Sequence, residues 1–416
     1  MHIPTERLLE RFLRYVKIDT QSVEGAETYP STEKQKDLLR LLVGELRELG
    51  LADAVMDEHG YVFATLPSNL PPAEASRLPA IGFLSHVDTS PETSGADVKP
   101  QVWQAYDGGD LVLPGDAAQV LRAADHPVLK RYVGQTLITS DGTTLLGADD
   151  KAGLAEIMTA VEVLLAHPEI PRPTIRVAFT PDEEVGMGTA HFDLARFGVQ
   201  AAYTLDGGEV GEVENETFTA WLATFTVAGA NVHPGYAKDK MVNAVRPMAA
   251  IVEALADQPA PETTEGRQAY LHPYGLNADV ARATLKILIR GFTEADIEAR
   301  KAFLRSLCEH VQQRFPKAHV TLDLVEQYKN MKVYLDRDPR VTEFAIEAVK
   351  KAGVEPLLRS IRGGTDGARL SEKGLPTPNL FAGGHLFHSK LEFVPLPSME
   401  KAVEVIVHLA ERWSRA

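Results

Sequence analysis

The sequence predicts an α/β fold, a mixed and largely parallel sheet with helices packed on it, interrupted by a smaller α+β domain. Three observations predict it. Apolar runs rich in valine, isoleucine and phenylalanine alternate with segments of helical period. Polar residues gather where those runs end. From about Thr217 the elements take up an order of their own.

Ser31 to Gly50 places Leu38, Leu41, Leu42 and Leu46 at helical spacing and stops at a glycine suited to a C-terminal cap. Leu78 to Leu84 reads as a buried strand running directly into Ser85, His86, Val87 and Asp88. Asp141 to Gly147 is turn-forming and leads into a helix with an apolar face of Leu154, Ile157, Val161, Leu164 and Leu165, with Asp149 and Asp150 at its start. Thr174 to Thr180 is a strand ending in Pro181, Asp182, Glu183 and Glu184, and Ala201 to Leu205 is a short strand ending in Asp206, Gly207 and Gly208.

The second pattern runs strand (Phe218 to Val227), helix (Asn243 to Leu255), strand (Thr284 to Arg290), helix (Glu294 to Phe315, with Thr293 and Asp296 placed as a capping box) and strand (Val320 to Val325). A helix around Val341, Phe344, Ala345, Ala348 and Val349 follows. Then come a glycine-rich turn at Arg362 to Gly367, a strand near Asn379 to Ala382 and a final helix from Met399. The domain reading is therefore residues 1–216 with 328–416, interrupted by 217–327.

The 416 residues are 44% hydrophobic and 24% charged, which excludes disorder and fibrous folds. Lysine plus arginine total 43 against 58 acids, a net charge of −15 that repels phosphate backbones and anionic lipid, so neither nucleic acid nor membrane is an expected partner. No basic segment leads into an apolar stretch at the N-terminus, and no window approaches the roughly 18 apolar residues that a spanning helix needs, so a cytoplasmic location is expected. With Cys308 as the single cysteine, thiolate-rich zinc modules are excluded, and any metal site must draw on carboxylates and the 13 histidines. No GxGxxG run follows a strand and opens a helix, which argues against a dinucleotide enzyme.

Open α/β sheets bind ligands at the carboxyl ends of their strands, and His86/Asp88, Asp149/Asp150, Glu183/Glu184 and Asp206 occupy such ends or a helix start. Taken singly, Asp149 reads as a helix cap and Asp206 as a turn residue. Taken together they suggest a metal centre. Side chains two apart on an extended chain face the same way, so Asp88 is placed to hold the His86 imidazole. A carboxylate pair at a strand end supplies a ligand and a general base in one segment. His385 and His388 each offer a further ligand, and spacing does not choose between them. Two histidines and three or four acids suffice for two metal ions sharing a carboxylate.

Ser85-His86-Val87-Asp88-Thr89, Leu146-Gly147-Ala148-Asp149-Asp150-Lys151-Ala152-Gly153, Pro181-Asp182-Glu183-Glu184-Val185-Gly186 and Leu205-Asp206-Gly207-Gly208 resemble, in order, the signatures of the two-zinc metallopeptidase family that includes carboxypeptidase G and aminoacylase. Tyr203 to Gly208, the Val232-His233-Pro234-Gly235 turn and Arg362-Gly363-Gly364-Thr365-Asp366-Gly367 most resemble its tripeptide aminopeptidases. The resemblance covers nearly the whole chain.

It implies a zinc-peptidase catalytic domain and a ferredoxin-like lid or dimerisation domain at about Thr217 to Gln327. It implies one zinc on His86 and Asp206, a second on Glu184 and His388, and Asp149 bridging both; cobalt or manganese also suits such ligands. Glu183 would be the general base, Asp88 would orient His86, and His233 would stabilise the oxyanion, against the plainer account of a histidine in a His-Pro-Gly turn. Arg290 and Arg362 are candidates to grip a substrate carboxylate, with surface salt bridges as the competing account. The implied partners are a small peptide substrate and a second copy of the chain through the inserted domain.

The run His385-Leu386-Phe387-His388-Ser389-Lys390-Leu391-Glu392 departs from the tripeptide aminopeptidase pattern, which has tyrosine and asparagine before the histidine and glycine and a second histidine after it. The departure bears on pocket shape and on strictness for tripeptides. The expected activity is release of the N-terminal residue from tripeptides. The alternatives are a dipeptidase, carboxypeptidase or N-acyl amino acid hydrolase on the same fold, and a non-catalytic peptide-binding relative.

Overall fold

A computed structural model of the chain describes residues 2–416. It divides into two compact units. The larger runs up to Asn215 and takes in Tyr334–Arg359 and Thr365–Ala416, and the smaller comprises Glu216–Val333 and Ser360–Gly364. Against the 217–327 read from sequence, the smaller unit continues through Val333. Asn330 accounts for this: its Oδ1 accepts the Thr217 N–H at 3.1 Å and its Nδ2 donates to the Phe292 carbonyl at 3.0 Å, tying the outgoing chain to the unit it leaves.

The large sheet has eight strands, in the order Val55–Met56, Val62–Leu66, Ile175–Thr180, Ile81–His86, Ala201–Gly207, Asn379–Phe381, Glu212–Thr217 and Leu357–Ile361. Ile81–His86 pairs in parallel with Ile175–Thr180 and with Ala201–Gly207, and Asn379–Phe381 pairs in parallel with Ala201–Gly207. The flanking pairings of Val62–Leu66 and Glu212–Thr217 are antiparallel, which makes the sheet mixed.

Helix Ala148–Ala166 is buried around nearly its whole circumference, through Leu154, Ile157, Met158, Val161 and Leu164, because it packs between the sheet and the helices Thr5–Tyr15 and Leu396–Trp413. Trp413 donates its indole N–H to the Tyr203 hydroxyl at 2.9 Å, which donates in turn to the Val341 carbonyl at 2.9 Å, so the last helix is fixed to a central strand. A separate three-stranded sheet orders Phe393–Pro395, Leu137–Thr139 and Gln101–Trp103. Among the described residues no helix is long and apolar enough to cross a membrane.

The smaller unit is a four-stranded antiparallel sheet, ordered Tyr270–Ala278, Arg282–Gly291, Thr219–Ala228 and His319–Tyr328, with helices Val245–Leu255 and Glu294–Arg314. Leu285, Ile287 and Ile289 alternate into a core completed by Met248, Ile251, Ile297, Leu304 and Val311. Thr293 and Asp296 form the expected capping box. The edge strand Tyr270–Ala278 was not expected from sequence; Pro273 and Gly275 interrupt its pattern, and its register shifts there. Helix Thr5–Tyr15 and strand Glu212–Thr217 are also additions, and the last helix begins at Leu396 instead of Met399, with proline in its first turn.

Candidate metal centre

His86 and Asp206 stand at the carboxyl ends of parallel strands, Asp149 at a helix start, and Glu184 and His388 in the turns that follow the strands Ile175–Thr180 and Asn379–Phe381. His86 ends its strand and is 2% exposed. Its Nδ1 donates to the Asp88 carbonyl oxygen at 3.1 Å and lies 3.4 Å from Asp88 Oδ1. Nε2 is thereby turned toward Asp149 Oδ1 at 2.9 Å and Asp206 Oδ1 at 3.4 Å. His388 Nε2 lies 3.3 Å from Asp149 Oδ2 and 3.0 Å from Glu184 Oε2. The aspartate thus offers one oxygen to each imidazole, with a second carboxylate beside each pair.

Asp149 and Asp150 have non-helical backbone angles at the start of helix Ala148–Ala166, and the peptide bond between them is cis. The non-helical angles set Asp149 in a turn at the head of this helix. His388 has φ +61°, a left-handed conformation uncommon for a non-glycine residue, and such outliers cluster at functional sites. Its carbonyl accepts the Thr93 hydroxyl at 2.6 Å.

The electrostatics are those of a site with surplus negative charge. Burial opposes a charge on His86, yet Asp206, Asp149 and Asp88 raise its pKa well above the ordinary value. His388 is pushed up to about 11 by its contacts with Asp149 and Glu184. Burial, then Asp149, lifts Glu184 to about 7, and burial, then Asp206, lifts Glu183 well above the usual carboxylate range. Burial also works against a charge on Asp149, but the two histidines hold it below the ordinary value. Glu184 Oε1 is buried without a hydrogen-bond partner. An orphaned carboxylate oxygen among imidazoles driven toward their cationic form fits a centre completed by divalent cations.

Among the described residues two groups have donor atoms that all lie within 4.8 Å of one another: His86, Asp149 and Glu184, and His86, Asp150 and Asp206. Asp150 was not among the ligands expected from sequence. Its oxygens are engaged by the Ser85 hydroxyl at 2.6 Å and the Gly153 N–H at 3.3 Å, so it braces the strand that bears His86. Glu392, also missed, is buried and accepts three backbone N–H groups around Asp149. Asp150 was singled out beside Asp149, but the sequence signals neither bracing role, since both act on local structure.

His385 lies apart from these donors: its Nε2 meets the Tyr132 hydroxyl at 2.8 Å and its ring stacks on Phe393. His233, Arg290 and Arg362 belong to the smaller unit. His233 is exposed, and its Nδ1 accepts the Gly235 N–H at 3.1 Å. Arg290 donates to the Ile289 carbonyl and to Gln327 Oε1, both at 3.1 Å. Arg362 donates to the Gly266 carbonyl and to Thr264 Oγ1, both at 2.8 Å, with its guanidinium over Phe218 and Tyr270.

A mixed-sheet unit with imidazoles and carboxylates converging on a shared aspartate has the design of a metallohydrolase. The chain belongs to peptidase family M20/M25/M40, whose family model matches residues 141–412. It is 50% identical over 407 residues to peptidase T from Desulfitobacterium hafniense (strain DSM 10664 / DCB-2), covering 98% of each chain. Among solved structures it is similar to the aminopeptidase PepT from Bacillus cereus, with a TM-score of 0.73, 26% identity and 99% of each chain covered. A tripeptidase from Staphylococcus aureus shares the fold, with a TM-score of 0.74 at 22% identity over the full length of both chains.

Proposed function

We propose that the protein is a metal-dependent aminopeptidase that releases the N-terminal residue of tripeptides in the cytoplasm, using two ions, zinc first among them. His86 and Asp206 would hold one ion, Glu184 and His388 the other, and Asp149 would bridge them. The observation that carries this reading is the split of Asp149, Oδ1 at 2.9 Å from His86 Nε2 and Oδ2 at 3.3 Å from His388 Nε2. Bound there, the ions would supply Lewis acidity to the scissile carbonyl and the attacking water.

The remaining work falls to side chains. Glu183, whose carboxylate burial and Asp206 make more basic, would take a proton from the attacking water and deliver it to the leaving amine. Asp88 would set the ring of His86 through Nδ1. Because His233 Nδ1 accepts a backbone N–H, its proton resides on Nε2, the form suited to donating to an oxyanion. Arg290 and Arg362 would bind the substrate's terminal carboxylate with the donors that their own unit leaves over. A homodimer through the smaller unit belongs to the same proposal.

The test is hydrolysis of a free tripeptide, its N-acetylated form, a dipeptide and a tetrapeptide, before and after chelation and with zinc, cobalt or manganese restored. Cleavage of the free tripeptide alone, at its first bond, lost on chelation and recovered with metal, is expected. Preference for the acetylated substrate or the dipeptide would replace the aminopeptidase with a deacylase or dipeptidase. Turnover indifferent to chelation would remove the metal centre.

A further inference from the structure

Glu392 is 1% exposed and lies four residues beyond His388 on the same loop. The base of that loop is closed by two backbone bonds, His385 N–H to the Phe393 carbonyl at 2.9 Å and Phe393 N–H to the His385 carbonyl at 3.1 Å. Glu392 Oε2 accepts the N–H groups of Leu146 and Gly147, each at 2.8 Å, and Oε1 accepts the Asp149 N–H at 3.1 Å. Gly147 sits at φ +82°, where the chain turns to present Asp149. One closed loop therefore holds Asp149 twice, by its side chain through His388 Nε2 and by its backbone through Glu392.

We propose that Glu392 is a positioning residue that fixes the Gly147–Asp149 turn against the His388 loop and so sets the spacing between Asp149 and His388. The inference rests on the metal-centre reading above and adds to it a residue outside the ligand set. A carboxylate accepting several backbone N–H groups is the means by which an outer group locks a ligand without touching an ion. A glutamine here retains one acceptor oxygen for Leu146 and Gly147 but turns an amide N–H₂ toward the Asp149 N–H, so it unpicks the bond nearest the bridge.

The experiment is a cobalt(II) titration of the chelated full-length enzyme, followed by equilibrium dialysis and visible absorption, on wild type, Glu392→Gln and Glu392→Asp. Wild type is expected to take up two ions; failure to do so removes the metal-centre reading whatever the variants do. Both variants are expected to keep the wild-type circular dichroism. Both should bind cobalt at least about tenfold more weakly, shift its absorption bands and lose kcat with KM nearly unchanged. A purely structural role would lower the melting temperature yet leave the cobalt affinity and spectrum of the folded protein intact, and that result overturns the proposal. Failure of both variants to fold overturns it equally, since Glu392 would then be a folding determinant. The aspartate keeps the charge and is one methylene shorter, so recovery of wild-type cobalt binding by Glu392→Asp would also count against a role set by reach.

Discussion

The Asp88 carboxylate accepts the Glu183 N–H at 3.0 Å through Oδ1, and through its other oxygen it accepts the Glu184 N–H at 3.1 Å. The residue beside one imidazole therefore also fixes the backbone of the proposed base and of a proposed ligand to the other ion. Asp88→Ala frees both amides at once. The expected outcome is a loss of about 10- to 100-fold in activity together with weaker metal retention, read by metal analysis after dialysis alongside kcat.

Glu183→Gln keeps the size of the side chain and removes its capacity to take a proton. Metal content near that of wild type with turnover reduced at least about 100-fold is expected. Metal loss in this variant, or retained activity, would take the base role from Glu183.

His385 tests linkage away from the centre. Burial, then Arg131, lowers its pKa from the ordinary 6.5 to about 4, so between those values the unfolded chain binds a proton that the folded chain refuses. Wild type should therefore lose stability as pH falls from 6.5 toward 4, relative to His385→Gln, by up to about 3 kcal/mol. Urea unfolding of both proteins at a series of pH values checks the sign. A gap between them that stays constant with pH would refute it.

Gly153 joins packing to the site. A Cβ there would meet the Leu205 carbonyl oxygen at 2.4 Å and Asp150 Oδ1 at 2.6 Å. Gly153→Ala should cost about 2 kcal/mol or more and, by displacing the strand end that carries Asp206, should reduce metal content too. Thermal melts with and without metal separate the two effects.

The strands carrying His86, Glu184 and Asp206 were legible because each is a short apolar run ended by polar residues, and a parallel sheet gathers such ends along one edge. The bracing roles of Asp150, which was read beside Asp149 at the helix start, and of Glu392 were not, because their partners are a hydroxyl and backbone N–H groups that leave no periodic trace. Strand Tyr270–Ala278 was hidden by a proline and a glycine that only an edge position tolerates. The true end of the smaller unit depends on Asn330, a single polar side chain whose bonds to Thr217 and Phe292 link residues far apart in sequence. Spacing did not choose between His385 and His388 and the family resemblance preferred His388; in the fold one ring meets Tyr132 and the other Glu184.

Glu212–Thr217 and Leu357–Ile361 are neighbours in the large sheet, and between them the chain makes almost the whole of its excursion through the smaller unit. Departure and return are thus adjacent, a junction at which the entropy of closing a loop grows only slowly with the length of what is looped out. The sheet is a socket: Asp206 precedes the junction and His388 follows it, so a module exchanged there leaves both on the framework that carries them. Length and sequence can therefore vary in the smaller unit while the proposed metal ligands stay on the larger unit's own strands and loops.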